Sequence, residues 1–218
     1  MKAMVLAAGR GERMRPLTDT CPKPLLQVAG KALIEHHISS LVKAGFRELV
    51  INHAYLGQQI EDYLGDGSKY NISITYSAEN EALETGGGIY KALNLLGNDA
   101  FLVVNGDVFC EYDFSLLPKT INDLVHLVMI DNPEHNPKGD FYFHNGRLLE
   151  TKGSKLTYSG IGIYRPELFK ACSSGKFPLA PLLRMAIKNK AISAEHYAGF
   201  WMDVGTPERL EYINSKYR

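Results

Sequence analysis

Apolar residues along this chain fall into two alternating patterns, short and mostly apolar runs and longer stretches with helical spacing. The short runs predict strands, and they occupy residues 3–8, 48–52, 72–77, 101–107 and 124–130. Stretches in which apolar residues recur every three or four positions predict amphipathic helices, and they occupy residues 32–45, 56–65 and 85–97. The repeated strand–helix–strand order predicts an α/β, Rossmann-like fold with a mainly parallel, doubly wound sheet.

The pattern changes after residue 131, where a polar, loop-like segment leads into short strand candidates on either side of Asn145 and Gly146. Asn-Gly between apolar residues is a strong hairpin signal. A further strand is predicted at 156–164, and helical spacing returns at 179–190 and 207–217. The second half therefore looks like a small β-rich insert packed on a sheet that the chain later re-enters.

Length and composition are those of one ordinary globular domain. We predict a single domain over 1–218, with halves at 1–131 and 132–218. The 24 Lys and Arg residues balance 24 Asp and Glu residues, so no basic excess favours a nucleic-acid partner. A small-molecule substrate suits this neutral composition better.

The cysteine and hydropathy patterns bear on the compartment. Cys21, Cys110 and Cys172 are far apart and include no CxxC pair, which argues against a disulfide framework and against a thiolate zinc site. No apolar run approaches the roughly 20 residues that cross a membrane. We expect a cytoplasmic protein with no membrane partner.

Residues 6–24, LAAGRGERMRPLTDTCPKP, follow the first strand and concentrate glycine, proline and cations. The loop after the first strand of an open α/β sheet commonly binds phosphate. Gly9 and Gly11 would let backbone N–H groups approach phosphate oxygens. Positive charge would come from Arg13, Arg15 and Lys23. We expect the prolines to hold this loop extended, and the alternative is a mobile surface turn with solvated cations.

The loop matches neither of two common phosphate motifs, because GxxxxGK[ST] is absent and Met14 replaces the third glycine of GxGxxG. Instead, AAGRGERMRPLT followed by PKPL resembles the signature of the sugar-1-phosphate nucleotidyltransferases. The resemblance extends along essentially the whole chain, through LETGGGI, NGDVF, GDF, YSGIGIY and WMDVGTPERL. The blocks NHAYLGQQIEDYLGDGS and LETGGGI are most similar to the uridylyltransferases of the family, which use UTP.

The resemblance implies a reaction in which a sugar 1-phosphate attacks the α-phosphate of a nucleoside triphosphate and displaces pyrophosphate. A phosphate monoester has a second pKa near ~6, so the attacking oxygen is largely ionised at neutral pH without a protein base. Catalysis then consists of alignment and charge neutralisation. The resemblance also implies Mg²⁺ as the cofactor.

The family motifs imply roles for particular residues of this chain. The implied catalytic residues are Arg13, Lys23 and Asp107. The implied nucleotide-binding residues are Leu6, Ala8, Gly9, Gly11, Glu12, Arg13, Lys23, Glu79, Asn80, Thr85 and Gly86. The implied acceptor-binding residues are Asn105, Asp140, Glu150 and Ser159, and the implied metal ligands are Asp107 and Asp203. Two carboxylates with phosphate oxygens suit Mg²⁺, which keeps waters and takes few protein ligands.

Several of these residues also have purely structural readings. Asp107 would also be the turn aspartate of NGD, and Asp203 a loop aspartate before the glycine of DVG. Asn105 and Ser159 would also satisfy backbone groups at strand ends. Arg15 would also form a surface ion pair.

Glu79 departs from the family pattern, because many uridylyl- and thymidylyltransferases carry Gln there and a carboxylate cannot donate to a uracil carbonyl. Either Asn80 supplies that donor or the choice of base is broader. One alternative function is therefore guanylyl or thymidylyl transfer to mannose- or glucose-1-phosphate. Another is a non-catalytic module that senses sugar nucleotides, which predicts loss of the loop cations or the aspartates, yet these are all present.

Overall fold

The computed structural model describes residues 1–217, and its strands and helices follow the apolar pattern. The strands are β1 (Ala3–Leu6), β2 (Gln27–Val28), β3 (Lys31–Ala32), β4 (Glu48–His53), β5 (Ser73–Ala78), β6 (Phe101–Asn105), β7 (Val108–Cys110), β8 (Val125–Ile130), β9 (Phe141–His144), β10 (Arg147–Leu149), β11 (Ser154–Tyr164), β12 (Ile192–Tyr197) and β13 (Trp201–Asp203). The helices are α1 (Leu33–Lys43), α2 (Gly57–Leu64), α3 (Glu84–Leu96), α4 (Ala180–Lys188) and α5 (Pro207–Lys216).

Nine strands form one sheet in the order β5-β4-β1-β6-β11-β8-β12-β10-β9. The neighbours β5, β4, β1 and β6 are all parallel, as predicted. Antiparallel pairs enter with β11, which lies between β6 and β8 and runs against both. Because β1 is flanked by β4 on one side and β6 on the other, the strand order reverses there, and open α/β sheets bind ligands at such a point.

Helices cover both faces of the sheet. One face is covered by apolar residues of α1 and α2, namely Ile34, Ile38, Leu41, Ile60 and Leu64. The other is covered by apolar residues of α3 and α4, namely Ile89, Ala92, Leu96, Leu183 and Ala186. The predicted α/β class is thereby confirmed. No helix within residues 1–217 is both long enough and apolar enough to cross a bilayer.

β9 and β10 form the predicted hairpin. Its turn residues Asn145 and Gly146 have φ angles of 47° and 76°, the left-handed values of a type I′ turn. We expected the hairpin to pack on the sheet, but it does not lie on either face. It extends the edge of the sheet, because β10 pairs with β12 and β9 pairs with the start of β11. A lone hairpin is marginally stable, and joining the sheet satisfies its outer backbone groups.

The loop behind β1 is not extended, contrary to the expectation from its prolines. It folds into three short 3₁₀ turns, Glu12–Met14, Leu17–Asp19 and Lys23–Leu25. The φ that proline fixes suits a 3₁₀ turn as well as an extended chain. The fully buried side chain of Met14 closes the loop onto an apolar cluster, and this packing decides between the two conformations.

Candidate active site

A cavity of about 340 Å³ opens where β1 and β6 end, a volume typical of small-molecule sites. Predicted nucleotide-binding residues form much of its wall, namely Leu6, Ala8, Gly9, Gly11, Glu12, Arg13, Lys23 and Thr85. Two residues predicted for other roles, Asn105 and Asp107, line the same cavity. The fold therefore gathers at one place residues that the sequence spreads over a hundred positions.

Gly11 determines the path of the loop behind β1. Its φ of 71° is left-handed, and a Cβ there would lie 3.0 Å from Thr18 Cγ2 and 3.3 Å from Lys23 Cβ. The Thr18 hydroxyl donates to the Gly11 carbonyl at 2.9 Å. A glycine is required because any side chain would be strained and would press on the segment that carries Lys23.

The loop's cations divide into two pairs. Arg13 and Lys23 line the cavity. Arg10 and Arg15 instead bind the carboxylate of Asp19, at 3.3 Å and 2.8 Å. Arg15 thus forms a surface ion pair, which leaves Arg13 and Lys23 as the loop's cations at the cavity wall.

Lys23 and Asp107 form an ion pair at the cavity wall, with 2.7 Å between Nζ and Oδ2. Lys23 is only 8 % exposed, and a charge so buried requires a partner. The Asp107 side chain is 38 % exposed, so it remains accessible. His37 is buried beside Asp107, and burial lowers the pKa of His37 to about 4. The imidazole is therefore neutral at pH 7.

The short strands β7 and β13 bring Asp203 next to Asp107. β13 pairs antiparallel with β7, which places Asp203 opposite Val108. The Val204 N–H donates to the Asp107 carbonyl at 2.7 Å. Asp107 immediately precedes β7 and Asp203 ends β13, so the two predicted metal ligands lie close together although they are far apart in sequence.

Asp203 also has a partner that the sequence did not suggest. Its Oδ2 accepts a hydrogen bond from Arg209 Nη1. A Cβ on Gly205 would lie 2.6 Å from Asp203 Oδ2 and 3.2 Å from the guanidinium nitrogens of both Arg13 and Arg209. Arg209 lies in the first turn of α5, where a cation opposes the helix dipole. A cation in the first turn of a helix is unusual, and this feature of WMDVGTPERL could have identified Arg209 from the sequence.

The two aspartates suit a hard divalent cation. Among residues 1–217, Asp203 Oδ1 is buried without a hydrogen-bond partner, and such an oxygen is costly unless a cation or donor satisfies it. Within residues 1–217, no point is surrounded by three His, Cys, Asp or Glu side chains placed to hold a metal. An ion here would complete its coordination with phosphate oxygens and water, as Mg²⁺ prefers.

Glu79 does not line the cavity but supports a residue that does. Its Oε1 accepts from Asn52 Nδ2 at 2.6 Å, and its Oε2 accepts from the Leu83 N–H at 2.9 Å. Asn52 Oδ1 in turn accepts from the Ala7 N–H at 2.9 Å, and Asn52 lines the cavity. Asn52 was missed because it looks like the end of the apolar run ELVIN, although a polar residue at that end of a parallel strand is itself a signal.

The remaining residues predicted to contact the base have other surroundings. Asn80 is exposed and outside the cavity wall. Gly86 packs against Phe177, whose ring a Cβ would approach to 2.6 Å, and a Cβ on Gly88 would lie 2.8 Å from Asn52 Nδ2. The glycines of LETGGGI therefore let α3 approach its neighbours closely.

Asp140 and Glu150 line a second pocket, of about 300 Å³, together with Lys155 and Arg184. Asp140 Oδ2 accepts from the Tyr158 N–H at 2.9 Å. This pocket therefore borders β11, whose neighbour β6 ends at the first cavity.

Asn105 and Ser159 lie where β6 meets β11. A Cβ on Gly160 would lie 2.7 Å from the Asn105 amide, so glycine gives Asn105 its place at the cavity. The Ser159 hydroxyl donates to the Val128 carbonyl at 2.7 Å and accepts from the Ile161 N–H at 3.1 Å. Both bonds stabilise the irregularity of β11 between Tyr158 and Ile161, so this hydroxyl is committed to backbone.

Comparison with known proteins identifies the class. The family model described as Nucleotidyl transferase matches residues 2–141. The chain is 53 % identical to the N-acetylmuramate alpha-1-phosphate uridylyltransferase of Neisseria meningitidis serogroup B, over 97 % of this chain and 96 % of that protein. It is 32 % identical to the mannose-1-phosphate guanyltransferase of Hypocrea jecorina, over 95 % of this chain and 62 % of that protein.

The fold also matches a crystal structure from Bacillus anthracis, of a protein assigned as a glucose-1-phosphate thymidylyltransferase, in complex with sucrose. The TM-score is 0.89 at 23 % identity, over 100 % of this chain and 95 % of that one. This chain belongs to the nucleotidyl transferase family, so it is a transferase. The family resemblance expected from the sequence is confirmed, and the greatest of these similarities is to a uridylyltransferase.

Proposed function

We propose that this chain transfers the uridylyl group of UTP to N-acetylmuramate α-1-phosphate, giving UDP-N-acetylmuramate and pyrophosphate, in the recycling of peptidoglycan sugars. The observation that carries the proposal is the similarity to the Neisseria meningitidis uridylyltransferase, which spans nearly the whole of both chains. The guanyltransferase is less similar and much of its length has no counterpart here. These differences favour uridylyl over guanylyl transfer.

The triphosphate would bind against the Gly9–Gly11 backbone, with Arg13 and Lys23 as counter-charges. An oxygen of the sugar phosphate attacks the α-phosphorus, the bond to the bridging oxygen breaks, and pyrophosphate leaves with the electron pair. Negative charge grows on the leaving group during this step, and Arg13 and Lys23 stabilise it. No residue of the chain needs to remove a proton, because the attacking oxygen is already ionised.

The ion pair at the cavity wall would rearrange when substrate binds. Lys23 is paired with Asp107 Oδ2 in the structure, and an incoming triphosphate offers it stronger anionic partners. Asp107 would then be free to hold Mg²⁺ with Asp203. The ion, when bound, supplies positive charge at the phosphates, while Arg209 keeps the Asp203 carboxylate in place.

The acceptor sugar carries a lactyl carboxylate, which is unfavourable to bury without a cation. Lys138 lies two residues before Asp140 in the sequence, but it is exposed and lies outside the second pocket. That pocket instead offers Lys155 and Arg184 beside Asp140 and Glu150. We propose that the carboxylates bind sugar hydroxyl or N-acetyl groups and that one of the cations faces the lactyl group.

A substrate panel tests the proposal. Pyrophosphate release would be measured for UTP, dTTP, GTP and ATP against muramoyl, glucosaminyl, glucosyl and mannosyl 1-phosphates. We expect the highest kcat/KM for UTP with the muramoyl compound. A preference for GTP, or for glucose 1-phosphate over the muramoyl compound, would overturn the assignment of substrates. Arg13→Ala should slow transfer, whereas Arg15→Ala, which removes exposed ion pairs with Asp19 and Glu12, should not.

A further inference from the structure

A histidine from the second half of the chain reaches the presumed metal site. His135 belongs to the loop between β8 and β9, and its Nε2 lies 3.1 Å from Asp203 Oδ1. The contact is a close polar approach rather than a hydrogen bond, since Asp203 Oδ1 has no hydrogen-bond partner within residues 1–217. This contact was not predicted from the sequence.

The loop that carries His135 is anchored on both sides of it. Asn132 Nδ2 donates to the Lys155 carbonyl at 2.9 Å, and Asn132 Oδ1 accepts from the Thr157 hydroxyl at 2.9 Å. On the other side, Asn136 Nδ2 donates to Thr157 Oγ1 at 3.1 Å and to Asp140 Oδ1 at 3.0 Å. These bonds hold the loop on β11, so the position of His135 is fixed by hydrogen bonds on both sides of it.

Asp203 is therefore contacted at both of its oxygens. Arg209 binds Oδ2, and His135 stands against Oδ1. Two contacts at opposite ends restrict rotation of the carboxylate about its Cβ–Cγ bond. A carboxylate oxygen has two lone-pair directions, so Oδ1 keeps one for an ion while His135 stands beside it.

We propose that His135 is a positioning residue of the metal site, which fixes Asp203 in the orientation that receives the ion. Partners of metal-binding carboxylates contribute about 10- to 100-fold to metal affinity or activity in known sites. Because the loop is bound to Asp140, the metal site is also tied mechanically to the presumed acceptor pocket. This inference rests on the proposed function for the existence of the ion site.

The test measures metal affinity directly. Mn²⁺ binding to the full chain with UTP, and without acceptor, would be followed by electron paramagnetic resonance of the free ion. We expect His135→Ala to weaken Mn²⁺ binding about 10-fold or more, and His135→Gln to restore part of it, because the Gln amide can reach the same carboxylate. His144→Ala removes an exposed histidine of the same half and should change nothing.

A loop variant extends the test. Asn132→Ala should weaken Mn²⁺ binding in the same direction, and the double variant with His135→Ala should be no weaker than His135→Ala alone. Wild-type Mn²⁺ affinity in His135→Ala would overturn the inference, as would equal losses in His135→Ala and His144→Ala. If instead the wild-type chain fails to form the UDP-sugar while His135→Ala still weakens Mn²⁺ binding, the proposed substrates are wrong and the role of His135 stands.

Discussion

In the proposed mechanism, Lys23 acts both in substrate binding and in bond breaking. Its ammonium group is nearly buried and paired with Asp107, and we propose that the triphosphate replaces Asp107 as its partner. Lys23→Met keeps most of the apolar stem but removes the charge. Since a hydrogen bond to a charged group contributes about 1.5–3 kcal/mol, we expect kcat/KM for UTP to fall about 10- to 100-fold.

Steady-state kinetics and UTP titration calorimetry would check this prediction for Lys23. Arg15→Met is the matched control, because it removes a cation of the same loop that binds Asp19. Unchanged affinity and rate in Lys23→Met would remove this lysine from the site.

His37 predicts how stability depends on pH. Burial lowers its pKa from 6.5 to about 4, so between these values the unfolded chain binds a proton that the folded chain does not. The stability that the neutral ring contributes is complete above pH 6.5 and declines as the pH falls toward 4, by about 3 kcal/mol in total. His37→Leu should therefore reduce the loss of stability between pH 7 and pH 4.5.

Urea unfolding at both pH values, in EDTA, measures the effect of His37. We expect the difference in unfolding free energy to shrink by about 2–3 kcal/mol in His37→Leu relative to wild type. His144→Ala, at an exposed position, should keep the wild-type difference. An equal pH dependence in His37→Leu and wild type would show that other groups cause it.

At the scale of elements, Glu79 connects β1, β4 and the entry to α3. Three donors converge on this network, the Ala7 N–H, Asn52 Nδ2 and the Leu83 N–H. A carboxylate accepts at both oxygens, whereas Gln carries a donor at one position. In Glu79→Gln the new N–H₂ group would face another donor, either Asn52 Nδ2 or the Leu83 N–H. Turning the Asn52 amide would remove the first clash but would place its N–H₂ group against the Ala7 N–H.

Glu79→Gln should therefore destabilise the fold by about 1–3 kcal/mol, the cost of one buried unsatisfied donor. It should also raise KM for UTP, because Asn52 lines the cavity. Urea unfolding and initial-rate kinetics would measure the two effects. Glu81→Gln, at an exposed position nearby, is the control. Wild-type stability in Glu79→Gln would mean that the network tolerates an extra donor.

Elements were the most predictable level of this structure. Helical spacing placed α1 correctly, since Leu33, Ile34, Ile38 and Leu41 repeat along one face and are buried. The direction of β11 was not readable, because an apolar run has the same pattern in parallel and antiparallel strands. The 3₁₀ turns of the first loop depend on the burial of Met14, a tertiary contact that the prolines do not encode.

The site was predictable only in part, for a related reason. Gly11, Lys23 and Asp107 belong to local motifs that can be recognised from a single sequence. Asn52 and Arg209 act through contacts made by folding, with Glu79 and Asp203 respectively, so no local motif contains both partners. The local signal for Asn52 is a polar residue near the end of a strand. The local signal for Arg209 is a cation in the first turn of a helix.

At the scale of the molecule, the two halves share one sheet and one cavity edge. β12 of the second half pairs with β8 of the first, and β13 pairs with β7. This arrangement supports the proposal of a single domain. It also means that each half contributes one of the presumed metal ligands, so ligand binding should stabilise the whole chain rather than one half.

That expectation gives a prediction for Asp107→Asn and Asp203→Asn. Each variant replaces one negative oxygen by an amide donor that cannot bind Mg²⁺, so turnover should fall by about 100-fold or more. The remaining amide oxygen can still accept from Lys23 or Arg209, so the unliganded chain should fold, with a lower free energy of unfolding in Asp107→Asn because Lys23 loses its charged partner. In the wild type, UTP with Mg²⁺ at about 100 times Kd should raise the free energy of unfolding by about 2.7 kcal/mol, in one cooperative transition. UTP with EDTA should give much less, and both variants should show this smaller effect even when Mg²⁺ is present.

Calorimetry of unfolding and assays of pyrophosphate release measure the two quantities, the stabilisation by ligand and the turnover, on the same samples. Full wild-type turnover in EDTA would end the metal assignment, whereas two separate thermal transitions would contradict the single domain and leave the metal ligands standing.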